Sequence, residues 1–457
     1  MDSKLGPLGR EITCFKAYDV RGRVPGELDE GIAYRIARAW ADFIGAKRVC
    51  MGRDVRLTSA AFADAVAEGL ADSGVEVHDL GLTGTEETYF GTFNGGLDGG
   101  VMITASHNPT DYNGLKLVRK KAHPISGDNG LEDIRRAAER GEFKDGAKRG
   151  ARIEAFDKST YIEHLLSYVD ADSLKPLKLV VNPGNGCAGP IIERLEKHLP
   201  FEFAKMDFEP DGSFPNGVPN PMLEENRRET SAAVRAHKAD LGIAWDGDFD
   251  RCFFYDENGS FVEGYYIVGL LAEAFLAEHP GAKILHDPRL TWNTVDLVHK
   301  FGGMPVVSKS GHAFMKEKMR IEDCVYGGEM SAHHYFKRFG YCDSGMIPWL
   351  LVAALVSRTG QPLSSMIAER EAKFPASGEI NREVEDQRAA MERVERRYVD
   401  TALDTDRLDG LSMEFDNWRF NLRPSNTEPL LRLNVESRGD RGLMELKTEE
   451  LLKLLGD

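Results

Sequence analysis

Long apolar runs are missing from this sequence of 457 residues. No uninterrupted apolar stretch approaches the ~18 residues that a membrane-spanning helix needs, so we expect no contact with a membrane. The first ten residues lack an apolar core and a small-residue cleavage site, so we expect no secretory signal and a cytoplasmic location. The six cysteines are scattered and form no CxxC pair, which argues against a disulfide framework or a structural zinc site.

Positive charge is also in short supply. Lys and Arg together number 58 against 74 Asp and Glu, which gives a formal net charge of -16. Such a chain repels nucleic acid, because binding a phosphate backbone normally needs a basic face. An anionic small substrate must therefore be met by a local basic cleft.

Three stretches of the chain share one plan, in which an apolar strand leads into a polar or glycine-rich loop and then into a helix. The predicted strands are 48–51, 177–181 and 283–286. The loops that follow are 52–54, 182–189 and 287–289, and the helices lie at about 59–73, up to 198, and at about 293–300. This pattern indicates α/β layers with helices on the sheet faces, and its recurrence indicates three related domains.

Breaks in this pattern predict the domain boundaries. The charged segment 135–152 marks the first, the turn at Asn258-Gly259 the second, and Pro375 with Gly378 the third. We therefore expect domains at 1–152, 153–258, 259–373 and 374–457. The last contains a charged helix at 386–401 and a strand at 430–435, which is typical of a smaller α+β domain.

Three aspartates at alternate positions follow the apolar run 241–245: Asp246, Asp248 and Asp250. If the extended conformation continues, their carboxylates share one face, and three like charges so close are unfavourable without a cation. All-oxygen ligands prefer a hard ion such as Mg²⁺. A solvated acidic turn is the alternative, and an EF-hand is a poor one because Arg251 stands where its loop needs glycine.

A serine follows the predicted strand 100–103 in the segment Thr104-Ala105-Ser106-His107-Asn108-Pro109. The Asn-Pro step predicts a tight turn, so Ser106 could simply be a cap or turn residue. A base or metal brought close would instead activate its hydroxyl as a nucleophile. His107 either takes part or is a packed loop histidine.

Two further segments suit a phosphorylated sugar. Arg423-Pro424-Ser425-Asn426-Thr427-Glu428-Pro429 offers a guanidinium, hydroxyls, an amide and backbone N–H groups, which together suit a phosphate. Glu329, Ser331 and His333 alternate, so an extended loop would place them on one side, where they could bind sugar hydroxyls. A plain turn and an ordinary edge strand are the respective alternatives.

A glycine-rich segment points to another function. Gly184-Asn185-Gly186-Cys187-Ala188-Gly189 matches GxGxxG after a strand, and Asp207 follows about 20 residues on, as in a dinucleotide-binding fold. The alternative function is thus an NAD-dependent oxidoreductase. That function would leave the three aspartates and the 423–429 loop unused, so a tight strand-to-helix turn explains the glycines better.

Together these segments resemble the α-D-phosphohexomutase superfamily, most closely its bacterial phosphomannomutase/phosphoglucomutase branch. The resemblance runs in family order from Phe15-Lys16-Ala17-Tyr18-Asp19-Val20-Arg21-Gly22 to the 423–429 loop and covers nearly the whole chain. It implies four domains around a central cleft. The first three would share one α/β/α mixed-sheet plan, and the last would be a smaller α+β domain.

The resemblance also implies roles for individual residues. Ser106 resembles the family's phosphoserine. Together with Asp246, Asp248 and Asp250, it resembles the set of residues that binds Mg²⁺ in the family. The residues implied around the transferring phosphate are Arg21, His107, Lys116 and Arg251, with Lys116 and His312 as candidate acid/base groups. The implied substrate-binding residues are Tyr18, Arg289, Glu329, Ser331, His333, Arg423, Ser425, Asn426 and Thr427.

The implied reaction interconverts mannose 6-phosphate and mannose 1-phosphate through a phosphoserine and a hexose 1,6-bisphosphate, with some activity on glucose phosphates. Hexose phosphates would be the only partners of a monomer or homodimer, and a non-catalytic sugar-phosphate binding protein is a further alternative. Two segments depart from the family pattern. Thr83-Gly84-Thr85-Glu86-Glu87 stands where many relatives carry a Thr-Pro step, and Ala332 follows Ser331 where relatives often have glycine. Met330 is typical of the mannose and dual mannose/glucose enzymes.

Overall fold

The computed structural model describes Gly9, residues 11–425 and residues 430–456. Its strands are β1 (Val20–Arg23), β2 (Arg48–Arg53), β3 (Glu76–Leu82), β4 (Gly99–Ile103), β5 (Tyr112–Arg119), β6 (His123–Pro124), β7 (Arg152–Glu154), β8 (Lys178–Asn182), β9 (Glu202–Lys205), β10 (Leu241–Trp245), β11 (Cys252–Tyr255), β12 (Phe261–Val262), β13 (Lys283–His286), β14 (Met304–Val307), β15 (Tyr326–Gly328), β16 (His334–Phe336), β17 (Cys342–Asp343), β18 (Ile380–Glu383), β19 (Asp404–Asp406), β20 (Leu411–Glu414), β21 (Trp418–Pro424) and β22 (Leu430–Ser437).

Helices alternate with these strands through most of the chain. They are α1 (Glu30–Ile44), α2 (Ser59–Asp72), α3 (Thr85–Asn94), α4 (Leu131–Arg140), α5 (Ser159–Leu166), α6 (Gly189–Leu195), α7 (Arg228–His237), α8 (Gly264–Glu278), α9 (Trp292–Lys300), α10 (His312–Glu322), α11 (Met346–Thr359), α12 (Leu363–Lys373), α13 (Gln387–Tyr398) and α14 (Arg441–Gly456). None of the helices in the described part of the chain is both long and apolar enough to cross a bilayer.

The described chain divides into two compact units. Unit 1 comprises the described residues up to Ser260 together with Arg338–Thr359. Unit 2 comprises Phe261–Lys337 together with the described residues from Gly360 onward.

The first sheet of unit 1 runs in the order β1-β5-β4-β2-β3-β7. β2 pairs in parallel with β3 and β4, whereas β5 runs antiparallel to β4 and β1. One face is covered by α1, which begins after the side chain of Asp29 caps the backbone N–H of Ile32 and which buries Trp40 in the core. Because β2 and β4 are parallel, the loops that follow them leave the same edge of the sheet.

The second sheet of unit 1 runs in the order β11-β10-β8-β9. β10 and β9 pair in parallel with β8, and β11 returns antiparallel to β10. Every residue of β10 is buried, as expected for a strand in the interior of a sheet. The loops after β8 and β10 therefore leave the same edge of this sheet.

Residues 338–359 return to unit 1 after the chain has entered unit 2. The indole N–H of Trp245 donates to the carbonyl of Gly345 (2.9 Å), and Trp349 of α11 packs edge-to-face on the Trp245 ring. Glu86 of α3 accepts hydrogen bonds from the backbone N–H groups of Gly345 (2.6 Å) and Met346 (3.1 Å) at the start of α11. This segment is thus an integral part of the unit 1 core.

Unit 2 contains a mixed sheet and an antiparallel one. In the first, β14-β13-β15-β16 lie in that order, with β13 parallel to β14 and β15 and with β16 antiparallel to β15. The second sheet has the order β18-β22-β21-β20-β19 and packs against α13 and α14 through a core that includes Phe420. The mixed α/β sheets and the smaller α+β region confirm the fold class predicted from the sequence.

Candidate active site

Ser106 lies in the loop that follows β4, buried and with a φ of 49°. Its Oγ donates to Asp246 Oδ2 (2.7 Å) and lies 3.1 Å from His107 Nδ1. Its backbone N–H donates to the hydroxyl of Thr104 (2.8 Å). A left-handed backbone at a residue other than glycine persists only where the surroundings enforce it. The loop therefore holds the serine hydroxyl against a carboxylate.

A buried guanidinium organises this loop from the side of β2. One Arg56 nitrogen donates to the carbonyls of Pro109 (2.7 Å) and Tyr112 (3.0 Å). The other donates to those of Ser106 (2.9 Å) and Asn108 (2.5 Å). Arg56 is charge-balanced by the buried Asp54, 3.4 Å away. Three carbonyls of the serine loop and that of the first residue of β5 thus share one side chain, which belongs to none of the sequence motifs.

The three aspartates converge through a turn. The N–H of Phe249 donates to the carbonyl of Asp246 (3.1 Å), and Phe249 has a φ of 44°. The extended conformation of β10 therefore does not continue through this motif, and the condition under which alternation would place the three carboxylates on one face is not met. In a straight strand the Cα atoms of alternate residues would lie ~6.6 Å apart. In this turn, one carboxylate oxygen from each of Asp246, Asp248 and Asp250 lies within 4.8 Å of the other two.

Two cations hold these carboxylates together. The Lys116 ammonium, on β5, lies 2.6 Å from both Asp248 Oδ2 and Asp250 Oδ2, and the Arg251 guanidinium lies 2.7 Å from Asp246 Oδ2. Burial acts to lower the pKa of Lys116, but the charges of Asp248 and Asp250 outweigh it and the pKa is raised. The cluster is thus nearly neutralised although all its members are buried.

The aspartate cluster is able to hold a metal ion. Its ligand atoms are all oxygens, and Asp248 Oδ1 is buried without a hydrogen-bond partner in the described part of the chain. Ser106 Oγ adjoins Asp246, so a group attached to the serine would complete the shell. Buried carboxylate oxygens of this kind fit a hard divalent cation.

The segment that departs from the family's Thr-Pro pattern also contacts this cluster. The backbone N–H of Thr85 donates to the carbonyl of Asp248 (3.0 Å), and its hydroxyl donates to Asp248 Oδ2. A Cβ at Gly84 would lie 2.2 Å from the ring of Phe249, so only glycine allows this close approach. α3 therefore begins against the aspartate turn, a contact that the sequence did not predict.

The glycine-rich loop 184–189 packs against the same turn. The N–H of Cys187 donates to the carbonyl of Gly247 (3.0 Å), and a Cβ at Gly186 would lie 2.8 Å from that oxygen. The loop links β8 to α6, as the strand-to-helix explanation predicts. Contact with the aspartate turn therefore accounts for these glycines without a dinucleotide.

Arg21 on β1 lies beside the serine loop. Its guanidinium donates to Asp19 (2.5 Å) and to the side-chain oxygen of Asn108 (2.7 Å), and it interacts electrostatically with Tyr18. Burial and the positive charges of Arg251 and Arg21 hold the pKa of His107 well below its usual range. His107 is therefore a neutral imidazole beside the serine hydroxyl.

In unit 2, Arg289 is the centre of a second polar cluster. Its guanidinium makes two bonds to Asp287, at 3.0 Å each, and contacts Ser331 Oγ (3.2 Å) and Glu329 Oε1 (3.4 Å). The N–H of Met330 donates to Asp287 Oδ2 (2.8 Å), so the same carboxylate holds both the arginine and the 329–333 loop.

The 329–333 loop turns between β15 and β16. The N–H of Glu329 donates to the carbonyl of His333 (2.9 Å), and Ala332 has a φ of 69°. The loop is therefore not extended, because the two strands pair as a hairpin and the residues between them must reverse direction.

The Glu329 carboxylate is held from several sides. It accepts hydrogen bonds from the hydroxyl of Tyr335 (2.5 Å) and the N–H of Gly311 (2.8 Å), and it lies 3.5 Å from His333 Nδ1. His312, the first residue of α10, places its ring centroid 6.4 Å from that of His333. Glu329, His333 and His312 thus lie close together.

Two arginines lie at the predicted phosphate loop 423–429, Arg423 within it and Arg432 on β22, which follows it. Arg423 and Arg432 face each other on β21 and β22. Arg423 contacts Glu379 (3.0 Å), and Arg432 lies 3.5 Å from both Glu379 and Ser425 Oγ. Asn426 and Thr427, also predicted for this site, lie outside the described residues.

The structure thus gathers the predicted residues into two groups. The group in unit 1 consists of Tyr18, Arg21, Ser106, His107, Lys116, Asp246, Asp248, Asp250 and Arg251. The group in unit 2 consists of Arg289, His312, Glu329, Ser331 and His333. Arg423 and Ser425 are joined to Arg289 through Glu379. Residues of these clusters that the sequence motifs missed are Arg56, Thr85, Asp287, Tyr335, Glu379 and Arg432. The sequence held one indication that Arg56 lies at the site, because Arg56 follows β2 in the polar loop that was predicted only as far as Asp54.

The chain is similar to known proteins along nearly its whole length. The chain matches four domains of the phosphoglucomutase/phosphomannomutase family: alpha/beta/alpha domains I (residues 13–145), II (159–259) and III (263–374), and the C-terminal domain (379–453). It is 60% identical over 451 residues to a phosphomannomutase of Salmonella montevideo, covering 97% of this chain and 99% of that protein. It is 59% identical over 444 residues to the phosphohexose mutases of Xanthomonas campestris pv. campestris (strain B100), covering 97% and 99%.

A solved structure shares the whole fold. A phosphoglucomutase/phosphomannomutase family protein from Burkholderia thailandensis superimposes with a TM-score of 0.87 at 30% identity, covering 97% of this chain and 96% of that one. With all four domains matched in order, the chain belongs to the phosphoglucomutase/phosphomannomutase family.

Proposed function

We propose that this protein is a phosphomannomutase, which interconverts mannose 6-phosphate and mannose 1-phosphate through phosphorylated Ser106 and a hexose 1,6-bisphosphate. The observation that carries the proposal is the hydrogen bond from Ser106 Oγ to Asp246 inside a buried cluster of carboxylates and cations. Family membership and the identity of about 60% to a protein named phosphomannomutase support the same activity.

In the proposed reaction the bond between Ser106 Oγ and phosphorus breaks while the free hydroxyl of the sugar phosphate forms a new oxygen–phosphorus bond. His312 is the candidate base that takes the proton of that hydroxyl, and the protonated Lys116, whose pKa is raised, is the candidate acid that gives a proton to the departing Ser106 Oγ. The bisphosphate then reorients, and Ser106 takes back the other phosphate. Such transfer requires mainly positioning and charge stabilisation from the protein.

The residues around Ser106 suit that task. Arg21, Lys116 and Arg251 would balance the negative charge that spreads over the equatorial oxygens. Asp246, Asp248 and Asp250, with an oxygen of the phosphorylated serine, would hold Mg²⁺, which when bound would add positive charge at the transferring group. His107 would keep its neutral ring against the serine loop.

The cluster in unit 2 suits the rest of the substrate. Glu329, Ser331 and His333 offer acceptors and donors for sugar hydroxyls, and Arg289 offers a cation beside them. Arg423, Ser425, Asn426 and Thr427 would receive the phosphate that does not react, because a guanidinium and hydroxyls complement its oxygens. Tyr18 is a further proposed substrate contact.

The test of this proposal is the phosphorylation and turnover of a serine variant. Wild-type protein given Mg²⁺ and a trace of mannose 1,6-bisphosphate should carry one phosphate by intact mass and convert mannose 1-phosphate to mannose 6-phosphate. Ser106→Ala should lose both properties while its melting temperature still rises with mannose 1-phosphate. The matched control is Ser213→Ala, an exposed loop serine, which should behave as wild type.

Each other result has a defined meaning. Full turnover by Ser106→Ala would overturn the phosphoserine mechanism. Stabilisation by mannose 1-phosphate without conversion by wild type would favour a sugar-phosphate binding protein. Turnover of a simple alcohol or sugar with NAD would revive the oxidoreductase.

We also propose that the enzyme accepts glucose phosphates. Mannose and glucose differ only at the 2-hydroxyl, so a site that binds shared hydroxyls through Glu329 and Ser331 separates them weakly. Large discrimination needs a buried group left unpaired by the wrong sugar. The kcat/KM values for the two 1-phosphates should differ far less than the ~10⁴-fold expected of a dedicated hydrogen-bonding selector. A ratio of that size would contradict this account.

A further inference from the structure

Glu379 lies at the start of the C-terminal domain, between Gly378 and β18, and its side chain is 8% exposed. Three guanidinium groups surround its carboxylate. Arg423 lies 3.0 Å and Arg289 3.3 Å from Oε2, and Arg432 lies 3.5 Å from Oε1. All four residues belong to unit 2.

The arginines around Glu379 differ in the number of carboxylates that neighbour them. Arg289 has two further carboxylate neighbours, Asp287 and Glu329. No carboxylate other than Glu379 pairs with Arg423 in the described part of the chain, so Glu379 supplies its counter-charge. Burial acts to raise the pKa of Glu379, but the charges of Arg289, Arg423 and Arg432 outweigh it, and the pKa is lowered. The carboxylate is therefore ionised at neutral pH.

A carboxylate and a phosphate use the same donors on arginine, because the guanidinium fork fits two oxygens of either group. Arg423 and Arg289 each present a nitrogen to Glu379 Oε2. Glu379 thus occupies donors that a phosphate arriving at these arginines would also use.

We infer that Glu379 is the resident counter-anion of the arginines that bind the substrate's non-reacting phosphate, so that it competes with this phosphate and weakens its binding. The inference rests on the proposed function, in which Arg423 and Ser425 belong to the phosphate site. Such competition lets the phosphate leave between the two transfers, when the bisphosphate must exchange its ends. It also keeps buried guanidinium groups paired when no sugar phosphate is bound.

Replacement of the carboxylate by an amide of the same shape tests the competition. Glu379→Gln should bind inorganic phosphate about tenfold more tightly by calorimetry and lower KM for mannose 1-phosphate by a similar factor, since one charge-assisted contact no longer competes. The variant without ligand should melt at a lower temperature than wild type, and inorganic phosphate should raise that temperature more than it does for wild type. If the Gln variant does not fold, Glu379→Asp, with its shorter reach, should show the same changes in smaller measure.

Glu383→Gln is the matched control, because it makes the same charge change on an exposed residue of β18, the strand that Glu379 precedes. It should leave the phosphate affinity and KM at the wild-type values. An equal tightening in both variants would show a general charge effect and would overturn the inference.

Arg423→Gln separates this inference from the proposed function. If it raises KM and Glu379→Gln lowers KM, both stand. If Arg423→Gln raises KM while Glu379→Gln raises it too or leaves it unchanged, Glu379 only positions the arginines and the inference fails alone. If Arg423→Gln changes neither KM nor phosphate affinity, the proposed phosphate site is wrong and the inference fails with it.

Discussion

Replacement of Arg56 by lysine should loosen the serine loop without removing a charge. Arg56 donates to four carbonyls, three of the loop and that of the first residue of β5, from two nitrogens, at 2.5–3.0 Å, and is fully enclosed beside Asp54. Lysine keeps the positive charge near Asp54, so no unpaired carboxylate is left in the interior. Its single nitrogen cannot reach both pairs of carbonyls, so about half of the hydrogen bonds are lost.

The size of the effect follows from these contacts. A hydrogen bond that involves a charged group contributes ~1.5–3 kcal/mol, so the loss of two costs at least about 3 kcal/mol of local stability. That corresponds to a ~10²-fold shift in the opening equilibrium of the loop. Because Ser106 would leave its position against Asp246, kcat should fall by roughly 10- to 100-fold, with a smaller change in KM.

Native-state hydrogen exchange measures the opening directly. The reporter amides are those of Asn108 and Tyr112, which donate to the carbonyls of Ala105 (2.9 Å) and Pro109 (3.1 Å) within the loop. Both should exchange faster in Arg56→Lys, while Arg48→Lys, an exposed change at the other end of β2, should alter neither exchange nor kcat. Unchanged exchange and unchanged kcat in Arg56→Lys would refute the reasoning.

Two further predictions concern buried carboxylates. Tyr335→Phe removes a 2.5 Å hydrogen bond to Glu329. In steady-state assays, KM for both mannose 1-phosphate and glucose 1-phosphate should therefore rise about tenfold, with little change in kcat. An effect on one sugar alone would contradict a hydroxyl contact that the two sugars share. Burial raises the pKa of Glu86 from 4.5 to about 8, despite donors from Tyr161 and the start of α11. Between these two pH values the folded protein holds a proton that the unfolded chain has released, so stability is fully present below pH 4.5 and declines as pH rises to about 8. Melting temperatures across this range should fall more steeply for wild type than for Glu86→Gln, and parallel curves would show that Glu86 does not titrate there.

Strands at the site were predictable where an apolar run ends in a polar loop. The run 241–245 is β10, and the strand predicted at 100–103 is β4, which begins one residue earlier. Such runs cannot form exposed helices, and polar loops with glycine or proline mark their ends. The structure also gathers Ser106 and the three aspartates, as their positions after strands of open sheets indicate.

The backbone between these residues was not predictable. Two segments whose alternating residues were considered on an extended backbone are turned. Phe249 takes a left-handed conformation with its ring buried against Gly84, and pairing of β15 with β16 reverses the chain before His333. Both causes are contacts between segments that are distant in sequence or paired across a hairpin. The alternation of side chains along one segment does not predict such contacts.

The burial of several charged side chains was also not predicted from the sequence. Arg56, Glu86 and Glu379 belong to charged residue types, for which solvent exposure is the ordinary expectation. Their burial depends on partners supplied by other segments: the carbonyls of the serine loop, the start of α11, and the arginines of β21 and β22.

The return of residues 338–359 to unit 1 sets an order for biosynthesis. The ribosome must add roughly 100 residues after Ser260 before Thr359 is made, which takes about 5–20 s at usual elongation rates. During that interval the nascent unit 1 lacks Gly345 and Trp349, which contact Trp245, and Glu86 lacks the hydrogen bonds from Ser344, Gly345 and Met346. An incomplete chain thus exposes apolar surface around Trp245 and leaves Glu86 with only part of its hydrogen bonds, so this stage of synthesis is prone to aggregation.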